Sequence, residues 1–358
     1  MSMIETRNID NEIHLMIHAD VTQTFGQQLD YVHEMLAQVR REDFPDARPV
    51  FMRYFLSDAA NQAESVEIYL RDRQECAVSV VEQPLLDGTK VALWVYMQRG
   101  AEVSRLESGL WEAVRNGHRS LWLGNSFCRG GDSGSQTTIL LERYSEALKE
   151  AGCSLENDCI RTWIYVQNID VNYAGMVKAR REMFDNVGLT KDTHYIASTG
   201  IAGRNAFPDS SVILDAYAVA GLQPDQIRYL YGSTHLNPTH EYGVTFERGT
   251  AVDTDGCRRV FISGTASIDN KGQILYPGNV RMQTERLLEN VSVLLDEAEC
   301  GYCDVMSMIV YLRDIADNAA VREILASRFP DIPKVFVWAP VCRPGWLVEM
   351  ECIAFKKF

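Results

Sequence analysis

One spacing recurs three times along the 358 residues and restricts the folds open to them. From Gln28 to Asp58 is 30 positions, from Gln136 to Asn168 is 32, and from Gln283 to Asp314 is 31. In each case the glutamine opens an amphipathic stretch, and the acid or amide closes an apolar run. The third copy reads most clearly. Arg259–Ser263 is a strand, and a second strand is expected near Ile274–Tyr276. Gln283–Ala298 places Leu287, Leu288, Val291, Leu294 and Leu295 on one helical face. Val305–Leu312 is a strand, Asn318–Arg328 a helix stopped by Ile332-Pro333, and Val335–Ala339 and Leu347–Phe355 are closing strands. The middle copy repeats this order with Ser120–Gly124, Gln136–Ala151, Arg161–Val166, Tyr173–Phe184 and Val212–Val219. The first, more degenerate copy has Gln28–Val39, Phe51–Leu56 and Val91–Tyr96. The expectation is an α+β chain of three tandem units, 1–110, 111–230 and 231–358. Each unit is a sheet with helices on one face, so its bare face needs cover. Three units in one chain can cover one another around a pseudo-threefold axis, as a monomer or a low-order oligomer.

The charge balance narrows the partners. With 35 basic and 49 acidic residues the net charge is −14. Nucleic-acid binding draws on a basic surface that releases counterions, and no Lys/Arg run is present. A small anionic substrate remains open, provided a few cations gather locally. The opening residues carry no basic, apolar leader, and no run reaches the roughly 18–20 apolar residues of a membrane helix. Nine scattered cysteines suggest reduced thiols and a cytoplasmic setting. Neither cofactor nor metal is expected. Cys300 and Cys303 form a lone pair read as a turn. His235, His240 and Glu241 flank Asn237-Pro238 in a loop read as a cap over a site. Gly130–Gly134 lacks the following GK[ST] of a phosphate loop and is read as a hairpin tip or lid. Leu140, Leu141, Tyr144 and Leu148 are core.

One acid stands out. Glu349 and Glu351 share a face of the last strand, among Val348, Met350 and Ile353. The first and second units have Ala92 and Ile213 at the place of Glu349, so the fold does not require an acid there. A buried carboxyl has a raised pKa and can serve as a general acid near neutrality.

Over Thr245–Phe358 the chain resembles the Rid/YjgF family in VFISGTASI, the GN…QT helix entry, YLRD and the closing strands. That family's arginine stands fifteen positions before Glu349, where this chain has Lys334, which grips a carboxylate less well than arginine. Over nearly the whole length the chain is similar to the chorismatases. The resemblance rests on YIASTGIAGR (Tyr195–Arg204), THLNPTHEYGV and FERG (Thr234–Gly249), SGTASI (Ser263–Ile268) and VCR…LVEME. It implies cleavage of the enolpyruvyl ether of chorismate, with Glu349 as the catalytic acid. Cys342, seven positions earlier, and Gly264 imply the branch that forms 3-hydroxybenzoate and pyruvate. The cationic candidates for the two substrate carboxylates are Arg161, Arg204, Lys334 and Arg343. Ser198, Thr199 and Gly200 are expected to offer main-chain N–H groups, and Tyr195 and Tyr242 to form walls. The alternatives are a Rid-type deaminase of imines or enamines, and a non-catalytic small-anion binder.

Overall fold

A computed structural model describes residues 3–358. Three sheets follow one another along the chain. The first comprises β1 (Ile4–Ile9), β2 (Glu12–His18), β3 (Ala47–Leu56), β4 (Ala77–Glu82) and β5 (Val91–Arg99), with helices α1 (Phe25–Glu42) and α2 (Ala59–Leu70). The second comprises β6 (Glu102–Arg105), β7 (Trp111–Arg115), β8 (His118–Phe127), β9 (Cys159–Val166), β10 (Ala197–Ala202) and β11 (Val212–Val219). Its helices are α3 (Ser133–Glu150), the one-turn α4 (Leu155–Asp158) and α5 (Ile169–Asn186). The third comprises β12 (Ile227–Leu230), β13 (Gly249–Thr254), β14 (Cys257–Ala266), β15 (Val305–Leu312), β16 (Lys334–Trp338) and β17 (Val348–Lys357), with α6 (Val280–Glu297) and α7 (Asn318–Arg328).

One core order runs through all three: β2-β5-β3-β4, β8-β11-β9-β10 and β14-β17-β15-β16. The first two pairings in each are antiparallel, and the last is parallel. A parallel pair needs a crossover, which α2, α5 and α7 supply. The register places Ala92, Ile213 and Glu349 opposite the penultimate residues Phe55, Tyr165 and Tyr311. The closing strands therefore align as the sequence implied.

The recurrent glutamine ties each unit together. Gln283 donates to Tyr276 and Gly345 carbonyls and accepts from Leu347 N–H at 2.9 Å, just ahead of β17. Gln136 does the same for Ser211 and Val212 at the start of β11. Gln28 accepts from Lys90 N–H, ahead of β5. All three are fully buried. A buried amide keeps such a place because its polar atoms satisfy backbone groups.

The faces opposite the helices meet at the centre. Phe51 lies 5.2 Å from Trp122 and 6.0 Å from Trp163, and Tyr217 lies 4.9 Å from Phe261. Aromatic rings of three units thus share one core. Buried ion pairs cross the same seams: Arg53–Asp215 at 3.1 Å and Arg161–Glu351 at 2.8 Å.

Two local expectations fail, and one strand is not anticipated. Ile274 makes only an isolated bridge to Ile268, so no strand forms at Ile274–Tyr276. Gly130–Gly134 is no hairpin tip: Asp132 caps α3 by accepting from Ser135 N–H, and Ser133 is the first helical residue. Strand β2 is not among the expected elements and is buried throughout. Its Glu12 receives the Arg259 guanidinium from the third unit, and its His14 pairs with Ser307. Among the described residues, no helix is long and apolar enough to cross a membrane.

Candidate functional site

A cavity opens between the second and third units. It holds about 510 Å³ of space, open solvent at its mouth included. From the second unit, α5 contributes Tyr173 and Arg180, and β10 contributes Ser198 and Gly200. From the third come Gly264, Ala266 and Glu349 on β14 and β17, the segment Tyr242–Arg248, and Cys342, Arg343 and Trp346 ahead of β17.

The floor is a β-bulge. Ile262 pairs with Cys352 and Thr265 with Met350, so Ser263 and Gly264 together oppose Glu351. A Cβ built on Gly264 would lie 2.0 Å from Glu349 Oε1, so the carboxyl occupies space that only glycine leaves free. Burial, reinforced by the like charge of Glu351, pushes the Glu349 pKa up to about 8; Arg161 and Arg248 oppose this. At neutral pH Glu349 is thus mostly a carboxylic acid. The Cys342 thiol is pushed up to about 12, first by burial and then by Glu349, while a hydrogen bond from Tyr173 works the other way. It is a thiol and not a thiolate at neutral pH, which removes the nucleophilic role open to a low-pKa cysteine.

Three guanidinium groups face this acid. Arg180 is 2% exposed; its Nη1 reaches Ser198 Oγ at 3.4 Å, while Nε and Nη2 have no protein partner. Arg248 donates to the Asn237 carbonyl at 2.9 Å and leaves Nε unpartnered. Arg343 lies 4.8 Å from the Tyr242 ring and 5.2 Å from that of Trp346. Buried N–H groups without partners are costly, and those that line this cavity could donate to an anion.

Of the residues expected at a site, the cavity brings together Glu349, Cys342, Gly264, Ser198, Gly200, Tyr242 and Arg343. The others lie elsewhere. Arg161 is beneath the floor, bound to Glu351, Thr199 and Ser263. Thr199 points the same way and donates to Glu351. The expectation of free N–H groups at Ser198–Gly200 fails because these residues form β10, and Ser198 N–H donates to Ser263 Oγ at 2.9 Å. Arg204 pairs with Glu82 at 2.7 Å in a separate cleft. Lys334 starts β16 beside Glu5 and Arg322, at the seam between the third and first units. Tyr195 lines a neighbouring cleft, its N–H bound to Glu247. The reading missed Tyr173, Arg180 and Arg248. A signal existed for Arg180, a charge set among Met176, Val177 and Phe184 on the buried stripe of α5. No group of three or more His, Cys, Asp or Glu able to hold a metal occurs among the described residues.

Comparison with known proteins agrees with this architecture. Residues 249–356 match the family described as Endoribonuclease L-PSP. A RutC family protein of Pyrococcus abyssi is 33% identical over 100 residues, which are 27% of this chain and 79% of that one. A RutC family protein of Drosophila melanogaster is 34% identical over 99 residues, 27% of this chain and 72% of its own. A crystal structure of a chorismatase is 20% identical, with a TM-score of 0.66 over 86% of this chain and 92% of that one. That likeness extends across all three units and is one of fold. By sequence, the chain belongs to the RutC family.

Proposed function

We propose that the chain is a chorismatase-type enzyme that cleaves the enolpyruvyl ether of chorismate, releasing pyruvate. One observation carries this reading: a buried carboxyl that is protonated at neutral pH faces three guanidinium groups across one cavity. Chorismate has two carboxylates, which Arg180, Arg248 and Arg343 can hold by charge-assisted hydrogen bonds. Glu349 then donates its proton to the terminal methylene carbon of the vinyl ether. The electron pair of the C=C bond forms the new C–H bond, and the ether oxygen stabilises the resulting cation. Addition of water gives a hemiketal that collapses to pyruvate and a ring diol, returning one proton to Glu349. If the ring's own hydroxyl traps the cation and the ring aromatises, 3-hydroxybenzoate and pyruvate form from the atoms of chorismate alone.

The test is to incubate the purified chain with chorismate and follow pyruvate and the aromatic product. Turnover at the background rate would overturn the reading. The 3-hydroxybenzoate branch rests on the small floor at Gly264 and the Cys342 thiol beside the acid. Gly264→Ala places a methyl against the acid, which must swing aside; Cys342→Ala removes the thiol. Both variants are expected to change the ratio of aromatic product to diol, measured by chromatography; Cys342→Ala should do so with little change in total pyruvate, whereas Gly264→Ala, which displaces the acid, should also lower it. An unchanged ratio in both would remove the branch assignment. The deaminase reading has less support, since Lys334 lies at another seam. The ribonuclease description of the family finds little support in a chain of net charge −14.

A further inference from the structure

Beneath the floor of the cavity lies a second carboxylate. Glu351 is two residues from Glu349 on the same face of β17 and is 4% exposed. Residues of the second unit hold it. Arg161 Nη2 donates to Oε2 at 2.8 Å, Thr199 Oγ1 also donates to Oε2, and Trp163 Nε1 donates to Oε1 at 2.7 Å. Arg53 of the first unit stands 3.9 Å from Oε1. Thr199 also accepts the Gly264 N–H at 2.9 Å, so the clamp on Glu351 and the bulge under Glu349 share one hydroxyl.

An acid recurs at this place without an acid above it. In the second unit Asp215 pairs with Arg53 and accepts the Asn125 N–H at 2.7 Å, while Ile213 stands at the place of Glu349. The first unit has Trp94 there, above Arg53. The axial ion pair can therefore exist for assembly alone. Only in the third unit does it lie directly under a second carboxyl.

We infer that Glu351, clamped across the seam by Arg161, Trp163 and Thr199, is a positioning residue whose charge beneath the floor adds to burial in keeping the proton on Glu349. The inference rests on the proposed function for the use of that proton, but not for its position. The other groups facing Glu349 are Arg248, Arg343, Arg180, Tyr173, Tyr242 and Cys342 around the cavity, and Tyr311 opposite it on β15. Glu351 itself faces Arg161, Arg53, Tyr165, Tyr311 and Asp215. Within these two sets Glu351 is the acid that raises the affinity of Glu349 for its proton most, and Arg161 is the base that lowers it most. Replacing Glu351 by glutamine removes the repulsion and unmasks Arg161. Both changes act in the same direction, toward an ionised Glu349.

The experiment follows the Glu349 carboxyl in the full chain labelled with [¹³Cδ]glutamate, its resonance assigned by its loss in Glu349→Gln. In the wild type the midpoint is expected at about 8. In Glu351→Gln the midpoint is expected to fall by about one pH unit or more. If the single variant does not fold, Arg161→Met/Glu351→Gln removes both charges and leaves no buried ion unpaired. Its midpoint should also fall, by less than in the single variant. The alkaline limb of kcat/KM should move with the titration, so that Glu351→Gln regains turnover at mildly acid pH. A midpoint that stays at the wild-type value in a folded variant, with only thermal stability lowered, would leave Glu351 an assembly residue and overturn the inference. Absence of chorismate turnover in the wild type would instead remove the proposed function, while the titration would still decide this point.

Discussion

Glu349→Gln should retain the fold and lose the chemistry. The amide preserves the shape of the side chain above Gly264 but has no proton to give, and loss of a general acid lowers kcat by about 10²–10⁴-fold. Pyruvate release from chorismate measures this, and a rate equal to wild type would sink the mechanism. The wild-type enzyme should hold kcat/KM steady below pH 8 and lose it above, because the acid form disappears as pH rises through its pKa of about 8. The same group links pH to stability. Its folded pKa lies above its unfolded value of 4.5, so the native state binds more protons between these values. The stability contributed is fully present below pH 4.5 and is lost as pH rises through about 8. Above pH 8 the ionised acid costs on the order of a few kcal/mol, and the glutamine variant escapes that cost. Thermal denaturation at pH 9 should therefore find Glu349→Gln more stable than wild type, with the difference vanishing near pH 4. That comparison needs no substrate.

Arg180→Met should produce a similar exchange of function for stability. Two of the three guanidinium nitrogens of Arg180 have no protein partner, and its charge is buried. A charge-assisted hydrogen bond to a carboxylate contributes about 1.5–3 kcal/mol, so its loss should raise KM for chorismate by roughly 10–150-fold. Methionine fills much of the same volume without a buried charge, so the melting temperature should stay level or rise. A variant with wild-type KM would show that Arg180 does not grip the substrate. A variant that unfolds would show that the guanidinium is a prop for α5 and not a ligand group.

The backbone was easier to read in the sequence than the site. Helices and central strands show as periodic apolar runs because each packs one face locally, and α7 and β15 keep their expected limits. Strand β2 was hidden because its polar residues find partners far along the chain, Arg259 for Glu12 and Ser307 for His14. The same distance separates cause and effect at the site. Glu349 was visible as an acid on an apolar strand, and Gly264 and Cys342 through resemblance. Arg204, Lys334 and Arg161 were plausible as cations near the right strands, yet Arg204 and Arg161 pair with carboxylates of neighbouring units and Lys334 lies near Glu5 at another seam. Arg180 needed the opposite inference, that a charge on a buried helical stripe can lack a protein partner. The first unit looked degenerate, but its degeneracy is one of side chains: its four-strand core is complete.

Covalent fusion of the three units has an evolutionary corollary. In a ring of identical subunits every substitution appears at all three seams together, so a change that suits one crevice is imposed on the others. Joining the copies end to end releases that coupling. Here β4 runs so close to the second unit's bulge that a methyl on Gly124 would lie 2.4 Å from the Val78 carbonyl, while the matching bulge at Gly264 stays open beneath an acid. The seam between the second and third units, with its acid above Gly264, has been free to diverge from the other two.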